Sequence, residues 1–83
     1  MKKKVKSISE LKKLSCRKDF ECHVLLNFNL ISRKTVQYNP KEGKFRVWHH
    51  IDETVKNYSE RALLKSNIGL AIEKGSLIYD EAK

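Results

Sequence analysis

The chain contains few of the residues that stabilise small secreted proteins or build phosphate-binding loops. It has two cysteines, one proline and three isolated glycines in 83 residues. A secreted domain of this length is usually held together by several disulfides. We therefore expect Cys16 and Cys22 to be free thiols in a reducing compartment, the cytoplasm. The scattered glycines form no glycine-rich loop of the kind that cradles nucleotide phosphates.

Long apolar runs are also missing. Uninterrupted runs reach only three residues, for example residues 24–26. A signal peptide needs about 7–15 consecutive apolar residues, and a membrane-spanning helix needs about 20. The sequence therefore predicts neither. Binding to a membrane surface is not predicted either, because the N-terminal segment offers only Ile8, Leu11 and Leu14 for insertion.

Carboxylates are scarce at the N-terminal end. Residues 1–18 hold eight basic side chains and one acidic one, Glu10, a net charge of +7 in a chain whose total is +8. Residues 1–6 are predicted to be a flexible basic arm. A basic segment of this kind attracts polyanions and speeds encounter with them. Nucleic acid and an acidic protein surface are therefore the two predicted classes of partner.

The first predicted element is a short helix over residues 8–15. Ser7 and Glu10 have the spacing of a capping box, in which side chains bond the free backbone N–H groups at the start of a helix. The apolar residues that follow are spaced as one helical stripe: Ile8, Leu11 and Leu14.

Three strands are predicted after this helix, at residues 20–28, 31–38 and 44–51. Alternating apolar and polar residues are typical of half-buried strands. Pro40 and Gly43 lie where a tight turn needs a preset φ and a positive φ, so the last two strands should form a hairpin. Short connections favour an antiparallel meander. The predicted inner face of the third strand holds Phe45, Val47 and Ile51.

Two short helices are predicted in the last third of the chain. Ser59 is the predicted N-cap of a helix over residues 60–66, and Ser66 caps a second helix over residues 68–74. Gly75 follows at the position where a left-handed residue commonly ends a helix.

The predicted fold is therefore a single α+β domain over residues 7–80. It consists of a short N-terminal helix, a three-stranded antiparallel β-meander and two short C-terminal helices. Residues 77–79 can add a short final strand. Residues 81–83 are predicted to be frayed.

No arrangement of residues predicts catalysis or metal binding. Zinc sites need closely spaced pairs of ligands, whereas here the ligands are too far apart or are direct neighbours, which point to opposite faces of a strand. The available ligands are Cys16, Cys22, His23, His49 and His50. His50-Ile51-Asp52 resembles half of a non-haem iron site, but a chain this short cannot build the barrel around one. We expect a protein that is not an enzyme and has no metal or cofactor.

Binding of nucleic acid is the function that the sequence favours. Strand alternation places Arg46, Trp48 and His50 on the outer face of the predicted sheet, beside Arg33. Aromatic side chains among basic ones suit base stacking and phosphate contacts with single strands. The predicted nucleic-acid-binding residues are Lys2, Lys3, Lys4, Lys6, Lys13, Arg17, Arg33, Arg46, Trp48 and His50.

A protein partner is the alternative. A small meander leaves an edge strand that can pair with a partner strand or with a second copy of the chain. Trp48 and Tyr38 would then be the aromatic anchors. A third interpretation is that Trp48 packs under one of the C-terminal helices and takes part in no binding.

Four segments carry a resemblance to known proteins. They are SRKTVQY at 32–38, FRV at 45–47, HIDET at 50–54 and SNIG at 66–69, the last followed by Ala71, Ile72 and Gly75. Together they resemble short uncharacterised proteins carried by phages and conjugative elements of Gram-positive bacteria. This resemblance implies an accessory role in a mobile element, such as regulation or inhibition of a host system, and implies no enzymatic activity.

Overall fold

The computed structural model describes residues 2–16, 18–26 and 30–80 of the chain. In these residues the chain forms six strands and three helices. In chain order they are β1 (Lys2–Lys4), α1 (Ile8–Ser15), β2 (Phe20–Leu26), β3 (Leu30–Asn39), β4 (Lys44–His49), β5 (Thr54–Ser59), α2 (Glu60–Lys65), α3 (Asn67–Lys74) and β6 (Leu77–Asp80). The predicted α+β class is confirmed.

The strands form one antiparallel sheet with the order β1-β6-β2-β3-β4-β5. The predicted meander is present, but it has four strands, β2 to β5, rather than three. The final strand β6 does not lie at an edge. It lies between β2 and β1, and it therefore connects the meander to the N-terminal strand.

The fourth strand of the meander, which the sequence did not predict, is β5, and it follows a turn after β4. It lies at a sheet edge and is exposed over most of its length, so it has none of the alternation by which a half-buried strand is recognised. The prediction for Ile51 was wrong for a different reason. β4 ends at His49, and Ile51 lies in the turn with 66% of its surface exposed instead of on the inner face.

The N-terminal residues differ from the predicted flexible arm. Lys2–Lys4 form β1, which pairs with β6 so that Lys3 lies opposite Tyr79. Val5 explains the difference, because its side chain is fully buried and its N–H donates to the Leu77 carbonyl at 2.9 Å. The buried Val5 thus anchors the preceding lysines along the edge of β6 that does not face β2.

The three helices pack on the same face of the sheet. The strand residues that face them are apolar and buried, among them Cys22, Val24, Val36, Phe45 and Val47. The buried helix residues that complete this core are Leu11, Leu63, Ile68 and Ala71. Burial of this apolar layer is the main source of stability in a domain of this size.

The ends of the helices follow the capping residues of the sequence. Ser7 Oγ accepts from the N–H of Glu10 at 3.2 Å, and Glu10 Oε1 accepts from the N–H of Lys6 at 2.7 Å. Ser59 Oγ accepts from the N–H of Ala62 at the start of α2, and Ser66 Oγ accepts from the N–H of Ile68 at the start of α3. Gly75 ends α3 with φ 72°, as predicted. Each cap satisfies an N–H or carbonyl group that would otherwise lack a partner.

The corner between α2 and α3 depends on Gly69. A Cβ atom added at Gly69 would lie 2.1 Å from the carbonyl oxygen of Leu64, an atom of the α2 backbone. Backbone atoms cannot move aside as the end of a flexible side chain can. The close approach of the two helices therefore requires glycine at this position.

Gly69→Ala should lower the free energy of unfolding by about 1–3 kcal/mol, the usual cost of overpacking a well-packed region. Urea denaturation followed by circular dichroism measures it. Leu70→Ala on the exposed side of the same helix is the matched control and should change stability much less. Equal stability of Gly69→Ala and wild type would contradict the close packing of this corner.

Candidate nucleic-acid interface on the open sheet face

The face of the sheet opposite the helices is uncovered in the residues described. It is formed by the strand residues that alternate with the core residues, among them Thr35, Gln37, Arg46 and Trp48. Trp48 is 50% exposed. The interpretation that Trp48 packs under a C-terminal helix is therefore wrong. We call this surface the open face.

Trp48 and His50 form a stacked aromatic pair on the open face. Their ring centroids are 5.2 Å apart and their planes are 6° from parallel. His50 is held in place by its Nε2, which is 2.7 Å from Thr35 Oγ1, and by its backbone N–H, which donates to the Arg33 carbonyl at 3.2 Å. The imidazole therefore packs on one face of the indole and is held there before any ligand arrives.

A groove of about 390 Å³ runs beside Trp48. Its lining includes Gln37 of β3, Arg46 of β4 and Val55 of β5. Val55 lies directly opposite Trp48 in the pairing of β4 with β5. Polar groups that can bond the edge of a base therefore lie next to an apolar surface on which the base can stack.

The two arginines of the open face differ in their charge environment. Arg33 donates from Nε to Glu21 Oε2 at 2.8 Å and forms an ion pair with the same carboxylate. Arg46 is exposed and forms no ion pair with any described residue. Arg46 is therefore the guanidinium that can neutralise a phosphate, whereas Arg33 would first have to break its ion pair with Glu21. Asp19 at the rim of the groove further reduces the positive charge.

The structure does not bring the predicted basic residues together. β1 lies four strand spacings from β4, about 19 Å across the sheet, so Lys2, Lys3 and Lys4 are remote from Trp48. Lys6 precedes α1, and Lys13 is exposed on α1 in the helical layer. Arg17, the remaining predicted site residue, lies outside the described residues. The nine described residues of the predicted set thus separate into a compact group around Trp48 and scattered lysines.

A second polar cluster, missed by sequence reasoning, lies on the helical side of the sheet. Lys34 is on the inner face of β3, with only 9% of its surface exposed. Its Nζ is 2.8 Å from His49 Nδ1, and His49 Nε2 is 2.9 Å from the Tyr58 hydroxyl. The sequence did contain a signal for the burial of Lys34. It lies two residues before the buried Val36 on the same strand, and residues two apart on a strand face the same side of the sheet.

The electrostatics of this cluster disfavour positive charge. Burial lowers the pKa of the Lys34 ammonium, and the carboxylate of Asp52 opposes this shift. Burial also lowers the pKa of His49, and the charges of Lys34 and Lys56 add to the effect. Bringing another proton to this region costs free energy because burial disfavours the charged forms, and for His49 also because Lys34 and Lys56 are nearby cations.

Several other groups bear on possible chemistry. Cys16 and Cys22 are free thiols, and burial raises the pKa of Cys22 to about 12, so its thiol stays protonated. In the described part of the chain no three His, Cys, Asp or Glu side chains are grouped so that they could hold a metal ion. Among the same residues no helix has the length and apolar character needed to cross a membrane.

Comparison with known proteins does not assign this chain to a family. No protein-family model, curated protein or solved structure matches it significantly. The resemblance to proteins of phages and conjugative elements therefore stays a prediction, and the function has to be inferred from the geometry of the chain itself.

The lowered pKa of His49 predicts a loss of stability in acid. At pH values above 6.5, the ordinary value for histidine, His49 is neutral in both folded and unfolded chains. As the pH falls below 6.5, the unfolded chain takes up a proton that the folded chain resists, so the free energy of unfolding decreases. This decrease should be smaller in His49→Gln. Urea denaturation of both proteins across this pH range measures the difference, and identical pH profiles would contradict the prediction.

Proposed function

We propose that this chain is a small non-enzymatic binding module whose open face binds single-stranded nucleic acid. The proposal rests on one observation, the half-exposed Trp48 stacked on an immobilised His50 on a bare sheet face. Exposing an indole to water is unfavourable, whereas stacking a base on such a ring contributes about 1–3 kcal/mol per base.

The surroundings of Trp48 support contacts of two kinds. Arg46 is positioned for a phosphate, and Gln37 and Thr35 offer polar groups to the edge of a base in the groove. The lysines of β1 would be reached only by a nucleic acid long enough to cross the sheet, because about 19 Å separates them from β4. They would add affinity without sequence preference.

Trp48→Leu should weaken binding of a short single-stranded oligonucleotide by at least about fivefold, because a base loses its stacking surface. In wild type the same binding should quench the tryptophan fluorescence. Titration of a fluorescently labelled oligonucleotide, followed by anisotropy, measures Kd. Leu64→Ala, an exposed apolar residue of α2, is the control for general effects on the fold. Undiminished affinity of Trp48→Leu would reject the open face as the binding surface.

Arg46→Gln should reduce the steepness of the salt dependence. Each phosphate contact to a single strand contributes about 0.7 to the slope of log affinity against log salt concentration, so the slope should fall by about 0.7. Arg61→Gln removes the same charge from the exposed side of α2 and should leave the slope unchanged. Equal effects of the two variants would mean that only the net charge of the protein matters.

A protein partner is the second candidate, and the edge strand β5 favours it. Within the described chain β5 pairs only with β4. The exposed apolar side chains of Ile51 and Val55 lie beside this edge, near Trp48. A partner strand could add to β5 while these residues pack against it, as an accessory protein of a mobile element would bind a host protein. No nucleic-acid binding at low salt, together with a stoichiometric protein partner that survives nuclease treatment, would favour this function.

A further inference from the structure

A separate cavity of about 350 Å³ lies on the helical side of the sheet, away from the open face. It lies where the inner-face residues of β3, β4 and β5 meet the junction of α2 and α3. The lining residues that matter here are Lys34, His49, Lys56, Tyr58, Lys65 and Asn67. A small ligand fits a space of this size.

With Lys34 charged, the hydrogen bonds inside the cavity run in one direction. A lysine ammonium can only donate, so Lys34 donates to His49 Nδ1 at 2.8 Å. The ring proton of His49 is then on Nε2 and is donated to the Tyr58 oxygen at 2.9 Å. The hydroxyl hydrogen of Tyr58 is left to donate to a further acceptor. The chain of bonds therefore ends in a donor at the wall of the cavity.

The charge of the cavity is positive and incompletely balanced. Three lysines, Lys34, Lys56 and Lys65, line it together with one carboxylate, Asp52. Lys34 is more than nine-tenths buried and forms no ion pair with any described carboxylate. A buried ammonium without a counter-ion is costly. Burial lowers the pKa of Lys34, and burial together with the charges of Lys34 and Lys56 lowers the pKa of His49.

The start of α3 adds to this field. Asn67, the first residue of this helix, lines the cavity together with the N-cap Ser66. The N-terminal end of a helix carries a partial positive charge that favours anions. The groups that line this one space thus come from four different elements. They are the buried lysine of β3, the tyrosine hydroxyl and a lysine of β5, a lysine of α2 and the start of α3.

We propose that this cavity binds the phosphate group of a small ligand. A phosphate brings up to two negative charges and several acceptor oxygens, which match the donors of Lys34 and Tyr58 and the flanking ammonium groups. The ligand is either free phosphate or a small phosphate monoester. The site is independent of the proposed nucleic-acid surface because it lies on the opposite side of the sheet.

The test is titration of the intact chain with inorganic phosphate, followed by two-dimensional NMR at constant ionic strength. We expect saturable shifts confined to the residues around the cavity, and a rise in the pKa of His49 because a bound anion stabilises its protonated ring. Shifts spread evenly over surface lysines, or no saturation, would overturn the proposal.

Two variants make the test specific. Tyr58→Phe removes only the hydroxyl and should weaken phosphate binding about tenfold, the effect of losing one hydrogen bond to a charged group. Lys65→Gln should also weaken it, whereas Lys74→Gln, at the opposite end of α3, should have no effect. Equal affinity of Tyr58→Phe and wild type would contradict the site. Circular dichroism of each variant separates lost binding from lost folding.

Glycerol phosphate in place of inorganic phosphate distinguishes the two sources of the ligand. Tighter binding of the monoester would show that the cavity also contacts the organic part, equal binding would show that it recognises the phosphate group alone, and weaker binding would identify free phosphate as the ligand. Trp48→Leu should bind phosphate as wild type does. The cavity can thus prove not to bind phosphate while the open face still binds nucleic acid. Equally, the open face can prove not to bind nucleic acid while the cavity binds phosphate.

Discussion

The structure depends on burial of a single apolar layer between one face of the sheet and three helices. A chain of 83 residues has too little apolar surface to cover both faces of a six-stranded sheet. The described residues therefore leave one face uncovered, and that face can hold Arg46, Trp48 and His50 without cost to the core. The same layer ends along β3, where the inner face changes from Val36 to Lys34. Both candidate sites thus lie where the apolar layer is absent.

Local signals predicted the parts of the fold that local interactions determine. Ser7, Ser59 and Ser66 located the helix starts, and Gly75 located the end of α3, because a cap involves only neighbouring residues. The two edge strands were missed for a physical reason. β5 is exposed on both faces and has no hydrophobic period, and β1 exists only because β6, more than 70 residues away in sequence, supplies its hydrogen bonds. Pairing over such a distance leaves no local pattern.

The composition of the open face followed from strand alternation alone, since neighbouring residues of a strand point to opposite sides. The geometry of the site did not follow. Alternation cannot show that Glu21 forms an ion pair with Arg33, or that His50, just past the end of β4, stacks on Trp48. It also cannot place the N-terminal lysines, whose distance from Trp48 is set by strand order. The cluster around Lys34 was overlooked because a lysine in phase with buried residues is normally taken for an interruption of the pattern.

The position of β6 inside the sheet has a consequence for the order of folding. β6 is the only described strand partner of Lys2–Lys4, and it lies more than 70 residues away in sequence. The β2–β5 meander can assemble from neighbouring segments, whereas β1 can pair only after β6 has reached its place beside β2. An unpaired strand invites association with other chains, and lysines are among the residues that discourage it. The three consecutive lysines would keep the waiting segment soluble as well as supply charge to the folded protein.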